Sequence, residues 1–418
     1  MKINPLQFQQ TVRVLEKMLR FESPADAVLS GWFREHRELG ANDRHVIAEA
    51  SFTILRRLET LRAWCAPKKP NARHLLLVAM AKLWGTNIKE FGEAVNEDEK
   101  TWLAAVKGKT QPDSLAARAE LPAWIIERLA DQDEEAVIAL GRALMQPAPL
   151  DLRVNTLKAR RAQVLDLLRD EGFEAEATPY SPLGIRLAGK PSINRHECFL
   201  RGEIEVQDEG SQLLGLITGA RRGEMVVDFC AGAGGKTLLL GAQMNSTGRL
   251  YAFDVSEKRL ANLKPRLARS GLSNVHPTLI AHENDVKVKR LAGKAQRVLV
   301  DAPCSGLGTL RRNPDLKYRQ SPESIAELNV KQASILASAA RLVAPGGRLV
   351  YATCSLLPQE NMGIVEGFLA AHPDFELTPV DAVLAEQKIP LAVGDVLQLN
   401  PAVHQTDGFF AAVLTRKP

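Results

Sequence analysis

The spacing of apolar residues changes along this chain, and the changes divide it into three parts. Up to about residue 147 the apolar positions recur every third or fourth residue, as in Phe8, Val12, Leu15 and Leu19, and again in Ile47, Ala50, Ile54 and Leu58. That period places them on one face of a helix. Ser23-Pro24 reads as a helix start, Leu39-Gly40-Ala41-Asn42-Asp43 as a stop and restart, and a further helix is expected from Pro122 to about Ala130. No strand-like alternation occurs, so residues 1–147 are expected to form an all-α domain.

From Leu150 the texture shifts. Leu152, Val154 and Leu157 predict a short strand, and Arg161 to Glu171 a helix closed by Gly172. Extended stretches at Ile185–Leu187 and Ile204–Val206 complete a small β-α-β-β unit over 148–222, with a helix from Gln207 to Ile217 leading out of it. Residues 223–418 alternate strands with helices in the manner of a parallel, Rossmann-like α/β sheet. The strands are expected at Met225–Phe229, Leu250–Asp254, Pro277–Ile280, Val298–Asp301, Arg348–Thr353 and Phe409–Leu414. Helices are expected at Lys258–Ser270 and Glu323–Val343.

Two places in this last part carry candidate chemistry. Val226-Val227-Asp228-Phe229 runs straight into Cys230-Ala231-Gly232-Ala233-Gly234-Gly235-Lys236-Thr237, a strand, glycine-rich turn and helix in sequence. Such a turn lets backbone approach a ligand at the carboxyl end of the sheet. The next strand ends at Asp254, where a carboxylate can accept from ribose hydroxyls. A P-loop would need glycine where Cys230 stands, and a dinucleotide site wants G-x-G-x-x-G, which this turn does not supply. A plain tight turn is the bland alternative; S-adenosylmethionine is the cofactor that remains, and the loop alone does not decide between them.

The second place is a pair of cysteines. One strand ends in Asp301-Ala302-Pro303-Cys304-Ser305-Gly306 and its neighbour in Thr353-Cys354-Ser355, so both thiols should meet in one crevice beside the cofactor. A single cysteine there is more often a small buried hydrophobe. Two in polar turns favour nucleophilic chemistry, as does an adjacent Asp301 able to bond a ring nitrogen.

Composition adds limits. With 418 residues, 45% hydrophobic and 25% charged, the chain is ordinary for a soluble protein of two or three domains. Leu75 to Met80 is too short an apolar run to cross a bilayer, and the first residues lack the apolar core of a secretory signal, so a cytoplasmic location is expected. Five scattered cysteines, with no C-x-x-C and no H-E-x-x-H, predict neither disulfides nor a metal site. The net charge of +5 is compatible with nucleic acid, and the crowding of Arg311, Arg312, Lys317 and Arg319 just after Cys304 marks a candidate phosphate contact. A solvated loop face is the plain alternative.

Together, Cys230–Thr237, Asp301–Gly306, Arg311-Arg312-Asn313-Pro314-Asp315 and Thr353-Cys354-Ser355 resemble the RNA 5-methylcytosine methyltransferases of the Nol1/Nop2/Sun type, most closely their bacterial small-subunit ribosomal RNA branch. Gln207–Gln212 and Asp407-Gly408-Phe409-Phe410 also look like segments of that family. The resemblance implies that Cys354 attacks the cytosine and that Cys304 helps release product. It places Cys230 to Lys236 and Asp254 on the cofactor, Asp285 near its adenine and Asp301 near its methionine end. It also implies an RNA-recognition-like fold for 148–222 and a NusB-like RNA-binding domain for 1–147; a monomer is expected. The family's turn usually has proline where Ala233 stands, and its third acidic position usually follows glycine, whereas Asn284 precedes Asp285. The rival functions are transfer RNA methylation, a P-loop hydrolase using Lys236 and Thr237, and an RNA-binding assembly factor with an inactive methyltransferase domain.

Overall fold

Asn4 opens the first helix: its side chain accepts from the Gln7 amide while the Gln7 side chain accepts from the Asn4 amide. This reciprocal cap fixes Pro5–Met18, whose inner face buries Phe8, Val14, Leu15 and Met18. The structure, a computed structural model, describes residues 1–418 apart from the side chain of Glu93. It divides into two units. One comprises residues 1–147 together with 309–322; the other comprises 148–308 and 323–418.

The first unit is helical. Ala25–Glu35, Ala41–Arg56, Leu58–Cys65, Ala72–Lys82, Glu97–Lys107 and Glu134–Met145 are its longer elements after the first. The segment 309–322 joins it through buried polar contacts. Lys317 Nζ donates to the carbonyls of Glu120 at 2.7 Å and Arg56 at 3.2 Å, and Asp315 accepts from the Ala25 amide at 3.2 Å. Tyr318 lies against Phe21 with ring centroids 5.0 Å apart.

These contacts correct one expectation. Lys317 is 3% exposed and Arg311 5%, so the basic run is not a continuous phosphate face. Burial lowers the Lys317 ammonium to about 8, against the pull of the Glu120 carboxylate. Arg319 reaches Asp315 at 3.5 Å, while Arg312 stays exposed. Lys317→Ala is therefore expected to destabilise this unit by roughly 1–3 kcal/mol, because two carbonyls and a buried carboxylate lose their cation. Denaturant melts of the full chain would show it; a melt unchanged by the substitution would mean that the lysine holds nothing in place.

The second unit contains both sheets. The small one runs β1 (Leu150–Val154), β2 (Ala175–Ala177), β3 (Gly184–Leu187) and β4 (Ile204–Val206), in the order β2-β3-β1-β4 and antiparallel at each pairing. This is a ferredoxin-like layer with Arg161–Asp170 packed on it, and Leu152, Val154, Leu168, Ile185 and Ile204 are fully buried between them. The sequence pattern missed β2, a three-residue edge strand of Ala-Glu-Ala whose residues favour helix over strand.

The large sheet comprises β5 (Met225–Asp228), β6 (Arg249–Asp254), β7 (Val275–Leu279), β8 (Ala295–Asp301), β9 (Val343–Thr353), β10 (Phe375–Thr378), β11 (Leu397–Leu399) and β12 (Phe409–Arg416). Its order is β10-β12-β9-β8-β5-β6-β7, with β11 pairing β12. Strands β5 to β9 are parallel, but β12 runs antiparallel to β9, and β10 and β11 antiparallel to β12. The sheet is thus mixed, because an apolar run such as Phe409–Leu414 encodes burial and not direction. Helices cover both faces, forming a Rossmann-like architecture whose order reverses beside β5 and opens a crevice at the strand ends.

Candidate active site

β5 ends at Asp228, and the chain turns through 229–234 into the helix Gly235–Gln243. Gly234 sits at φ +83°, and a Cβ there would come within 2.1 Å of Leu263 Cδ1, so the turn requires glycine. The turn is held from several sides. Asp254 Oδ2 accepts from the Gly232 amide at 2.9 Å, and its other oxygen accepts from Ser256 at 2.7 Å and faces Arg259 at 3.1 Å. Two arginines hold its carbonyls: Arg153 on β1 donates to Gly235 at 2.6 Å, and Arg266 to Ala233 at 2.8 Å. Arg266 is itself paired with Glu205 on β4 at 3.0 Å, so the small sheet helps shape the glycine turn.

The turn forms part of the wall of a cavity of about 410 Å³. Asp228, Asp254, Glu283 and Asp301 supply carboxylates to that wall, Lys236, Arg259 and Lys331 supply cations, and Phe229, Val255, Ile280, Pro303 and Ile335 supply apolar surface. Lys236 Nζ donates to Asp301 Oδ2 at 2.7 Å; burial would lower the ammonium, but the Asp301 carboxylate outweighs it and holds it charged. Thr237 Oγ1 donates to Asp228 Oδ2 at 2.7 Å. The two groups that a P-loop would spend on phosphate and magnesium are thus already committed. Four carboxylates would repel a triphosphate and suit a cationic ligand. Asp228 is 1% exposed, and its Oδ1 has no hydrogen-bond partner. Among the described residues no cluster of His, Cys, Asp and Glu could hold a metal ion, and no helix is long and apolar enough to cross a membrane.

Three of the five cysteines line this cavity: Cys230, Cys304 and Cys354. Cys304 Sγ lies 3.4 Å from Cys354 Sγ and accepts from the Cys354 amide at 3.3 Å. The hydrogen bond to Cys354 and burial together hold the Cys304 thiol well above its ordinary range, and burial pushes Cys230 up as well. Cys65 and Cys198 lie elsewhere and are fully buried, with thiols pushed up to about 12 and 11 by burial. The Cys304 turn closes against the chain's end. The Gly308 amide donates to the Cys354 carbonyl and the Gly408 amide to the Gly308 carbonyl, both at 2.8 Å. A Cβ on Gly308 would meet the Gly408 carbonyl at 2.0 Å.

The structure thus brings Cys230, Ala231, Gly232, Ala233, Gly235, Lys236, Asp254, Asp301, Cys304 and Cys354 around one cavity. Gly234 shapes the turn from behind it. Asp285 is elsewhere: its carboxylate caps the amides of Ala281 at 2.9 Å and Lys287 at 2.8 Å, which hold it below the usual carboxylate range. Glu283 lines the cavity instead. Its position two residues earlier in a turn carries no periodic signal. Arg259, Arg153 and Glu360 were also not singled out, since a lone charged residue in a helix or strand looks like any solvated one.

Comparison with known proteins identifies the family. A family model described as 16S rRNA methyltransferase RsmB/F matches residues 216–415, and one for the RsmF/B-like ferredoxin-like domain matches 121–194. The chain is 35% identical over 311 residues to the probable ribosomal RNA small subunit methyltransferase B of Bacillus subtilis (strain 168), covering 72% of this chain and 68% of that protein. With the ribosomal RNA small subunit methyltransferase B of Sodalis glossinidius it shares 31% identity over 91% of each chain. A solved structure, that of PH0851, superposes with a TM-score of 0.79 at 26% identity over 99% of both chains. The chain belongs to the RsmB/F family of methyltransferases.

Proposed function

We propose that this protein transfers a methyl group from S-adenosylmethionine to carbon 5 of cytosine in RNA, with small-subunit ribosomal RNA as substrate and the cytoplasm as its place of action. The observation that carries the proposal is the pair of thiols 3.4 Å apart in the same cavity as the glycine turn and Asp254. When bound, S-adenosylmethionine supplies an electrophilic methyl group. Asp254, Arg259 and Glu283 would hold its nucleoside part, and Asp228, Lys236 and Asp301 its charged end.

The chain's own residues make the base reactive. Cys354, as thiolate, adds to carbon 6 of the ring, and the electron pair of the 5,6 double bond moves to carbon 5, which becomes nucleophilic. We assign Asp301, whose carboxylate accepts from Lys236 at 2.7 Å, as the partner of ring nitrogen 3: protonated from solvent, its carboxyl would share that proton with the nitrogen as charge develops. After methylation a base from solvent takes the carbon 5 proton, the freed electron pair re-forms the 5,6 double bond, and the bond from carbon 6 to Cys354 breaks to expel the thiolate. Cys304 takes part only at this later stage. Arg312, the exposed member of the basic run, is the proposed phosphate contact.

Calorimetric titration with S-adenosylmethionine, ATP and NAD tests the cofactor, and bisulfite sequencing of 16S and transfer RNA after incubation with the purified protein tests the base and substrate. Asp254→Ala is expected to weaken S-adenosylmethionine roughly 10- to 100-fold, since it removes charge-assisted hydrogen bonds worth about 1.5–3 kcal/mol. Tight ATP binding without S-adenosylmethionine binding would sink the proposal, and conversion only in transfer RNA would replace the ribosomal substrate.

A further inference from the structure

Glu360 follows Cys354 by six positions, in the single turn Pro358–Glu360, and it is 0% exposed. A carboxylate so placed must be satisfied from within. Its Oε1 accepts from the Ser305 amide at 2.8 Å and from Gln332 Nε2 at 2.9 Å, and its Oε2 accepts from the hydroxyls of Ser305 and Ser355. Ser305 is the residue after Cys304, and Ser355 the residue after Cys354. One carboxylate therefore ties together the two turns that carry the thiols, and the two serine oxygens lie 3.0 Å apart.

Neighbouring contacts fix Glu360 in turn. The Tyr351 hydroxyl donates to the Glu360 carbonyl at 2.7 Å. Asn361 accepts from Thr353 Oγ1 and donates to the Ser355 carbonyl at 3.0 Å, so the turn is fastened to β9 on both sides of Cys354. Gln332 extends the hold to the Pro303 carbonyl at 2.9 Å, just before Cys304. Glu360 does not line the cofactor cavity.

We propose that Glu360 is a positioning residue for the methylation chemistry: its carboxylate sets the separation of Cys304 and Cys354 by holding Ser305 and Ser355 together. This rests on the two-thiol reading of the site. Its negative charge is also one of the groups that hold the Cys304 thiol up, after the bond to Cys354 and burial. The titratable groups facing the thiols are each other, Glu360 and Tyr351, with Lys236 and Asp301 on the cavity wall.

The test uses Glu360→Gln and Glu360→Ala in the full chain, with Ser305→Ala and Ser355→Ala to cut each arm singly should either Glu360 variant fail to fold. The measurements are S-adenosylmethionine affinity, single-turnover methylation, and the pH profile of iodoacetamide alkylation at each cysteine, read by mass spectrometry. Glu360→Ala should slow single turnover by about tenfold or more, the equivalent of one lost charge-assisted hydrogen bond, with cofactor affinity held within about twofold. Glu360→Gln keeps an acceptor for the Ser305 amide and should recover part of the rate. In both, Cys304 should alkylate at lower pH than in the parent. Parent alkylation profiles in Glu360→Ala, or in both serine variants where it does not fold, would overturn the proposal, as would a parallel loss of cofactor binding. Alkylation needs no RNA, so a shifted thiol profile in a protein that methylates no cytosine would refute the proposed function and leave the positioning role standing.

Discussion

Cys354→Ala is expected to abolish methyl transfer, a loss on the order of 10⁴-fold or more, because without addition at carbon 6 the ring never becomes nucleophilic. Cys304→Ala should behave differently. With attack intact and release impaired, it should accumulate a protein–RNA adduct that survives denaturing electrophoresis. The two thiols touch at 3.4 Å, so the substitutions probe a division of labour within one contact and not two separate sites. An adduct in Cys354→Ala and none in Cys304→Ala would reverse the assignment. A fully active Cys354→Ala would end the covalent mechanism altogether.

The second large effect concerns stability. Burial pushes the Asp228 carboxyl up to about 7 from 3.8, against the Thr237 hydroxyl that holds it down. A carboxyl with a raised folded-state pKa binds its proton more tightly in the native protein than in the unfolded chain. Stability therefore falls as pH rises from about 4 to 7, and the full penalty persists above 7. Three units correspond to a penalty on the order of 4 kcal/mol. Asp228→Asn keeps an acceptor for Thr237 and removes the charge. It should raise unfolding stability by about 2–4 kcal/mol at pH 8, and the gain should shrink towards pH 4. Urea melts at both ends of that range decide it, and an equal gain at each would assign the effect to shape and not to ionisation. The native carboxylate, which lines the cavity with one oxygen unpartnered, is a stability cost located where a cationic ligand would bind.

How far the sequence revealed this molecule depended on whether a feature was local. The glycine turn, Asp254, the Pro-Cys turn and the Thr-Cys-Ser turn are contiguous patterns at predicted strand ends, and they converge as expected. The parallel strands β5 to β9 were legible from apolar runs set between helices. Strands β2, β10 and β11 were missed: at three or four residues such segments register unevenly, since β3 and β4, equally short, were found. Roles set by partners far along the chain stayed hidden. Glu360 matters through Ser305, 55 positions away, and Lys317 through Glu120, 197 positions away. The basic run misled for the same reason: density of charge is visible in sequence, but the carbonyls and carboxylate that absorb Lys317 are not.

The membership of 309–322 in the helical unit has a consequence for how the protein is made. The chain passes between its two units at 147/148, 308/309 and 322/323, so residues 1–147 are not a cassette that a single cut releases. A ribosome finishes residue 147 and then needs on the order of ten seconds or more, at the usual 5–20 residues per second, before the missing segment exists. During that interval the helices can collapse on their own apolar core, but the Glu120 carbonyl and the Ala25 amide have not yet met Lys317 and Asp315. Completion of the first unit to be synthesised thus waits for the synthesis of the Cys304 turn, and any graft of a foreign helical domain onto this catalytic part must carry its own version of 309–322.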